Sequence, residues 1–259
     1  MELHFNLECY SIFQASVNAD RREPEKTMSL AGKGAVAIWH DIAPEGRDEF
    51  YAWHGEEHMP ERVAIPGFLR GRRYVAKNAD LEFFNLYEAE SPEVLKGPDY
   101  LERLENPTPW TIAAVKHFRN VARSICTVAA SMGQAQGGLM ATWRYDVADS
   151  RADEHRRVLE TEILPALAVR PGFAGAHLLV ADMDASKVDT AEQRARSERN
   201  RVPRWVILAE GWGDEEPFEA ACREGLSDKV LMDLGAQGDL AFGIYRLQAS
   251  RTKAPSTVG

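Results

Sequence analysis

The chain has 259 residues, 44% of them apolar and 27% charged, the balance of a globular protein with one large core or two smaller ones. Lys and Arg number 31 against 40 Asp and Glu, so the net charge is −9, which repels phosphate backbones and argues against nucleic acid as a partner. No run approaches the roughly 20 apolar residues that span a bilayer, and Cys9, Cys126 and Cys222 are too scattered for a disulfide framework or a paired-cysteine metal site.

These features lead us to expect a cytoplasmic protein that acts on a small molecule and has no membrane partner. Residues 1–33 read as an N-terminal extension. The stretch 1–27 has a polar middle and no sustained period, whereas Met28 opens MSLAGKG directly before a clear strand, so Met28 reads as the natural start.

A duplication organises the rest. EEHMPERVAIPGFLRGRRYVA near Pro60 matches TEILPALAVRPGFAGAHLLVA near Pro165, with Glu57, Pro60, Pro66, Gly67, Phe68, Val75 and Ala76 falling on Glu162, Pro165, Pro171, Gly172, Phe173, Val180 and Ala181 at a constant offset of 105. In the first copy, 35–41 reads as a strand and 44–63 as a mostly helical segment. Gly55 and Pro60 weaken that helix, and Pro60 should end or kink it. Strands follow at 69–77 and 81–90, then a broken helical region at 92–116 and a strand at 121–128. The second copy repeats the order, with strands at 139–147, 173–182, 204–211 and 240–248 and helices at 151–169 and 215–234.

The offset grows to 122 at Glu88 and Glu210, which places a 17-residue insertion at about 183–199. That insertion is polar, has no apolar face, and reads as a mobile loop or a lid. The expected division is a first βαββαβ repeat at 34–132, a second at 133–250 that begins with the linker GQAQGG, and a tail at 251–259. A four-stranded βαββαβ sheet covers only one face with helices, and two fused copies can pack bare face to bare face into a barrel within one chain. A homodimer is then not needed for closure, but it remains an expected option.

This pattern, with WHGEEHMPERVAIPGFLRGRRYVA and the later NPTPW, resembles the dimeric α+β barrel (ferredoxin-like) superfamily in tandem-duplicated form, near the EthD-like branch of uncharacterised bacterial proteins. The resemblance implies an α+β fold. It does not choose a chemistry, because the superfamily includes isomerases, heme-free monooxygenases, cyclases, heme enzymes and stress proteins.

The duplication also supplies an internal control. His40, His54, His58, Arg62 and Arg73 fall on Tyr145, Leu159, Ile163, Leu167 and Leu178. Where the second copy is apolar, the first is ionisable, which points to a polar pocket in the first repeat or else to a more exposed helix. His54 and His58 share a helix face, and strand parity turns His40 toward the helices, where it could meet them.

The expected catalytic set is therefore His54 and His58 as acid–base groups with His40 as partner. Arg62, Arg73, Tyr74 and Tyr87 are expected to hold the substrate, with Trp53 and Trp110 lining an apolar wall. This set suits a cofactor-independent lyase or isomerase acting on a small apolar metabolite that carries a carbonyl or lactone. A non-catalytic ligand-binding or stress-response barrel is the alternative. No cofactor and no metal are expected. HGEEH has the spacing of an inverted zinc motif, but Gly55 and Pro60 make a poor zinc helix. A metal or heme held by His40, His54 or His58, as in an oxidoreductase, is the minority reading.

Overall fold

The structure is a computed structural model that describes residues 29–196 and 199–253. Eight antiparallel strands form it: β1 Gly34–Ile42, β2 Phe68–Asn78, β3 Phe83–Ala89, β4 Phe118–Gly133, β5 Leu139–Val147, β6 Phe173–Ala181, β7 Trp205–Gly211 and β8 Ala236–Thr252. They close into a barrel in the order β1-β3-β2-β8-β5-β7-β6-β4. Each repeat supplies one four-stranded sheet, and the β2–β8 and β4–β6 pairings join the two sheets. This is the expected α+β barrel, closed within one chain.

Strands β4 and β8 outrun the expected 121–128 and 240–248 because each serves both repeats. The first part of β4 pairs with β1, and its end pairs with β6 from Cys126↔Ala181 to Gly133↔Gly175. β8 pairs with β5 and then with β2, as far as Arg70↔Thr252, so the expected tail at 251–259 begins inside a strand. The seam stretch Ala129–Met132 has small and polar residues and no clean alternation, so periodicity misses it. Of the expected extension, residues 1–28 lie outside the described residues. Ser29 and Leu30 are buried, and the Ala31 N–H donates to Glu88 Oε2 at 2.7 Å.

Successive strand residues face opposite sides. One side fills the barrel interior with Trp39, Tyr74, Phe84, Leu86, Met140, Leu208 and Tyr245, and Trp39 stacks on Phe84 with ring centroids 4.7 Å apart. A buried ion-pair network shares that interior: Glu88 lies 2.7 Å from Arg70 and 3.1 Å from Arg72, and Arg72 lies 3.0 Å from Glu210. The other side is covered by helices.

In the first repeat, α1 (Arg47–Trp53) runs through a π turn (His54–His58) into α2 (Met59–Ala64). The second repeat does the same with α5 (Ala152–Val158), a π turn (Leu159–Ile163) and α6 (Leu164–Ala168). Pro60 therefore does not end the helix, and the irregularity lies in the π turn just before it. The Met59 N–H reaches back to His54 O across the wider turn, as Leu164 does to Leu159, and this relieves the clash between the proline ring and the preceding turn.

Between β3 and β4 lie α3 (Pro98–Glu105) and α4 (Pro109–Val115). The helix expected at 215–234 is two, α9 (Glu215–Gly225) and α10 (Asp228–Asp233), because Ser227 caps the second by accepting from the Val230 N–H at 3.3 Å. No helix among the described residues is long and apolar enough to cross a membrane.

The insertion differs most from expectation. It forms α7 (Met183–Ser186) and α8 (Ala191–Arg194), capped by Asp182 and Thr190, which accept from Ala185 N at 3.0 Å and Gln193 N at 3.3 Å. It straps across β4 onto the helix-covered side of the first repeat. Ile125 N donates to Ser186 Oγ at 2.9 Å, Arg123 N donates to Arg201 O at 2.9 Å, and Glu192 is only 5% exposed.

Candidate active site

The two copies bury the same positions with opposite chemistry. His54 and Arg62 are 2% and 3% exposed, and their counterparts Leu159 and Leu167 are 0% and 1%. Greater exposure of the first helix is thus not the cause of the asymmetry. The second repeat packs its leucines against Trp143, Phe173 and Phe218 in an apolar layer. The first repeat keeps a small cavity of about 20 Å³, room for about one water, between the π turn, β1, β3, β4 and the strap. Trp53, His54, His58, Arg62, Asn85 and Tyr87 line it, together with Tyr100, Arg123, Glu192 and Arg196.

The geometry fixes the state of His54. Arg73 Nη1 lies 3.3 Å from its Nδ1, and because a guanidinium only donates, Nδ1 is the acceptor. The proton is then on Nε2, which donates to the Tyr87 hydroxyl oxygen at 3.1 Å. Tyr87 keeps its own proton for a further acceptor. Three donors therefore run in one direction, Arg73 to His54 to Tyr87, and end at the cavity. Burial, then the nearby His58 and Arg73, holds His54 well below its usual pKa and hence neutral. Burial also pushes the Tyr87 phenol up, so it stays protonated.

The π turn sets the His58 ring 5.7 Å from that of His54, and the ring lies over Trp53 at 4.2 Å. His58 Nδ1 is buried without a hydrogen-bond partner. Burial and the cations of Arg62 and Arg196 hold this imidazole neutral as well. His40 stays one ring away. Phe50 lies 5.3 Å from both His40 and His54, and both nitrogens of His40 are engaged, Nε2 with Asn85 Nδ2 at 2.9 Å and Nδ1 with Asp41 O at 3.3 Å. His40 therefore positions Asn85, whose Oδ1 is buried and unpartnered.

Among the residues expected to hold substrate, Trp53, Arg62 and Tyr87 border the cavity. Arg73 does not. It serves His54, donates to Gln248 Oε1 at 2.8 Å and lies over Tyr51. Tyr74 points into the barrel interior, on the opposite face of β2 from Arg73, as consecutive strand residues must. Trp110 is partly exposed and donates to Glu49 at 2.6 Å, away from the cavity.

Sequence reasoning missed Asn85, Tyr100, Arg123, Glu192 and Arg196. Arg123 carried a signal, a lone cation inside the apolar run of β4, and so did the helical i, i+4 spacing of Glu192 and Arg196. Glu192 bonds to Arg62 and, at 2.9 Å, to Arg196. Burial alone would raise its pKa, but the guanidiniums of Arg62, Arg196 and, farther off, Arg123 overcome this and hold it ionised. Three arginines face Glu192, and Glu61 lies 3.4 Å from Arg62 behind them, so the cavity keeps one cation in excess.

The closed cavity has no room for a heme, the nitrogens of His40 and His54 are already hydrogen-bonded, and of these three histidines His58 alone keeps a buried ring nitrogen without a partner. Among the described residues, no group of three or more His, Cys, Asp or Glu side chains is arranged to hold a metal.

No family model matches the chain. No curated protein matches it. Solved structures do match. An anthrone oxidase-like protein is 16% identical, with 86% of this chain and 93% of that one covered and a TM-score of 0.55. A candidate monooxygenase from Lactobacillus acidophilus is 13% identical, covering 85% and 97%, with a TM-score of 0.52. A candidate chlorite dismutase is 10% identical, covering 84% and 95%, with a TM-score of 0.50. At these identities the likeness is one of fold, a ferredoxin-like α+β barrel spanning nearly the whole of each neighbour.

Proposed function

We propose that the protein is a cofactor-independent acid–base enzyme, a lyase or isomerase, that moves a proton next to a carbonyl of a small metabolite. The observation that carries this reading is the one-way chain Arg73–His54–Tyr87, which ends at a cavity bordered by the unpartnered imidazole of His58. The names of the fold neighbours span oxidase, monooxygenase and dismutase, so the fold selects none of these and the site must.

In this reading the Tyr87 O–H donates to the substrate carbonyl oxygen. The neutral His58 imidazole takes the proton from the adjacent carbon, and the electron pair of that C–H bond moves into the enolate. Arg62 and the surrounding cations favour the negative charge that develops. His58 then returns the proton to a different carbon in an isomerisation, or to a departing group in an elimination. Both outcomes conserve atoms and need no redox partner. The substrate enters as the strap withdraws, because the closed cavity holds only about one water.

The test is solvent-deuterium incorporation, followed by NMR, into the α-positions of a panel of ketones, lactones and oxo-acids. The wild-type protein should catalyse exchange in at least one class, and His58→Ala and Tyr87→Phe should each suppress it. Exchange by both variants at the wild-type rate would overturn the assignment. Ligand binding without exchange in any class would favour the non-catalytic barrel.

A further inference from the structure

On the far side of Arg123 from the histidines lies a second space, a groove of about 330 Å³ between α3 and the strap. Its walls are apolar: Leu95, Leu101, Leu104, Ile125, Ala185 and Val188. At its rim Lys96 Nζ pairs with Asp182 at 3.2 Å, and Asp184 adds a second carboxylate. One cation stands at its inner end. The Arg123 side chain borders both the groove and the histidine cavity and is only 7% exposed. It donates to the Tyr100 hydroxyl at 2.9 Å, and among the described residues no carboxylate lies within ion-pair distance of it. Arg62 and Arg196 contact Glu192 directly, and Arg62 also lies 3.4 Å from Glu61, whereas Arg123 feels Glu192 only beyond contact distance. A buried guanidinium that no carboxylate contacts directly is costly to the folded chain, and an anionic ligand in contact with it would relieve that cost.

We propose that this groove receives the apolar body of the substrate and that Arg123 holds an anionic group at its inner end. The substrate class is then an organic anion with an apolar body, such as an aliphatic or aromatic oxo-acid. This rests on the acid–base reading for its chemistry, but the groove itself is testable by binding alone. Arg123 at the inner end favours an anionic group there over an uncharged one, and the apolar walls with the Asp182 and Asp184 carboxylates at the rim disfavour a polyanion.

The experiment uses the full chain with 8-anilinonaphthalene-1-sulfonate as a fluorescent aromatic anion and decanoate and decanol as competitors. The wild type should bind about one probe per chain, with decanoate displacing it and decanol failing to do so. Arg123→Gln should weaken binding about tenfold or more, as loss of a charge-assisted contact does, and Arg123→Lys should recover part of it. Ala185→Trp, which fills the groove, should abolish binding, while a matching circular-dichroism spectrum and melting temperature show that each variant is folded.

His58→Ala should leave probe binding intact. That result upholds the groove even if proton exchange is never found, so the two proposals fail separately. Equal affinity of wild type, Arg123→Gln and Ala185→Trp, or equal displacement by decanoate and decanol, would overturn the groove assignment.

Discussion

His54 Nε2 lies 3.1 Å from the Tyr87 hydroxyl oxygen, and its direction of donation is set from behind by Arg73. Hydrogen bonds that run one way polarise each other in a buried site. The Tyr87 proton is thereby made a better donor than an isolated phenol's while remaining in place at neutral pH.

Tyr87→Phe deletes only the donor at the end of this chain. It should lower the turnover of the exchange reaction by about 10²–10³-fold, the loss typical of one oxyanion donor, with KM little changed. Arg73→Met should lower turnover less and should also let His54 adopt the other tautomer, which steady-state kinetics alone would not reveal. A Tyr87→Phe enzyme of full activity would remove the phenol from the mechanism.

Stability should fall steeply below neutrality. Burial lowers the His40 pKa to about 3 and those of His54 and His58 well below the usual value. The unfolded chain takes up protons at these positions as pH drops through about 6.5, while the folded chain does not, so the folded state loses stability as pH falls. Each histidine contributes at most about 1.4 kcal/mol per pH unit below that point, and His40 continues to do so down to its folded value. Urea melts between pH 7 and 5 should show this slope, and His40→Phe should make it shallower. A flat profile over that range would mean that these imidazoles are not buried neutral.

Inside the barrel, Arg70 Nη2 lies 2.7 Å from Glu88 Oε2, with both side chains at most 4% exposed. Glu88→Leu removes the anion that Arg70 shares with Arg72 and should cost about 3–5 kcal/mol. Replacing Glu88 and Arg70 together with apolar residues should recover part of the loss, since Arg72 keeps Glu210 at 3.0 Å. Equilibrium unfolding of the single and double variants checks this, and equal losses in both would show that packing, not the charge, is what matters there.

Gly55 lies in the first π turn, is exposed, and has nothing within 4 Å of where a Cβ would stand. Gly55→Ala should therefore stabilise the protein by about 0.4–1 kcal/mol by restricting the unfolded chain. Exchange activity should not change. A destabilised variant would show that the turn needs conformations closed to alanine.

Much of the fold was legible because the duplication repeats buried positions, and burial is what a hydrophobic pattern records. The constant offset between Pro60 and Pro165 even pairs the two π turns, although the turns themselves are invisible to a search for ordinary helical spacing. The placement of His40 under the helices followed from strand parity. The same parity, applied to Arg73 and Tyr74 as neighbours on β2, separates them, since only one can face the helices.

The strap was not legible. It folds through caps at Asp182 and Thr190 and through the charges of Glu192 and Arg196, and a polar segment held by such contacts leaves no apolar periodicity to read. Its contribution to a cavity in the other repeat is a tertiary fact that local spacing does not carry.

Arg73 and Tyr87 hold His54 as a neutral imidazole protonated on Nε2. Long-range nitrogen–proton correlation spectra of ¹⁵N-histidine-labelled protein at pH 7 read that state directly. His54 should show a pyrrole-like Nε2 and a pyridine-like Nδ1, with the pattern altered in Arg73→Met. An imidazolium at His54, or a proton on Nδ1, would contradict it.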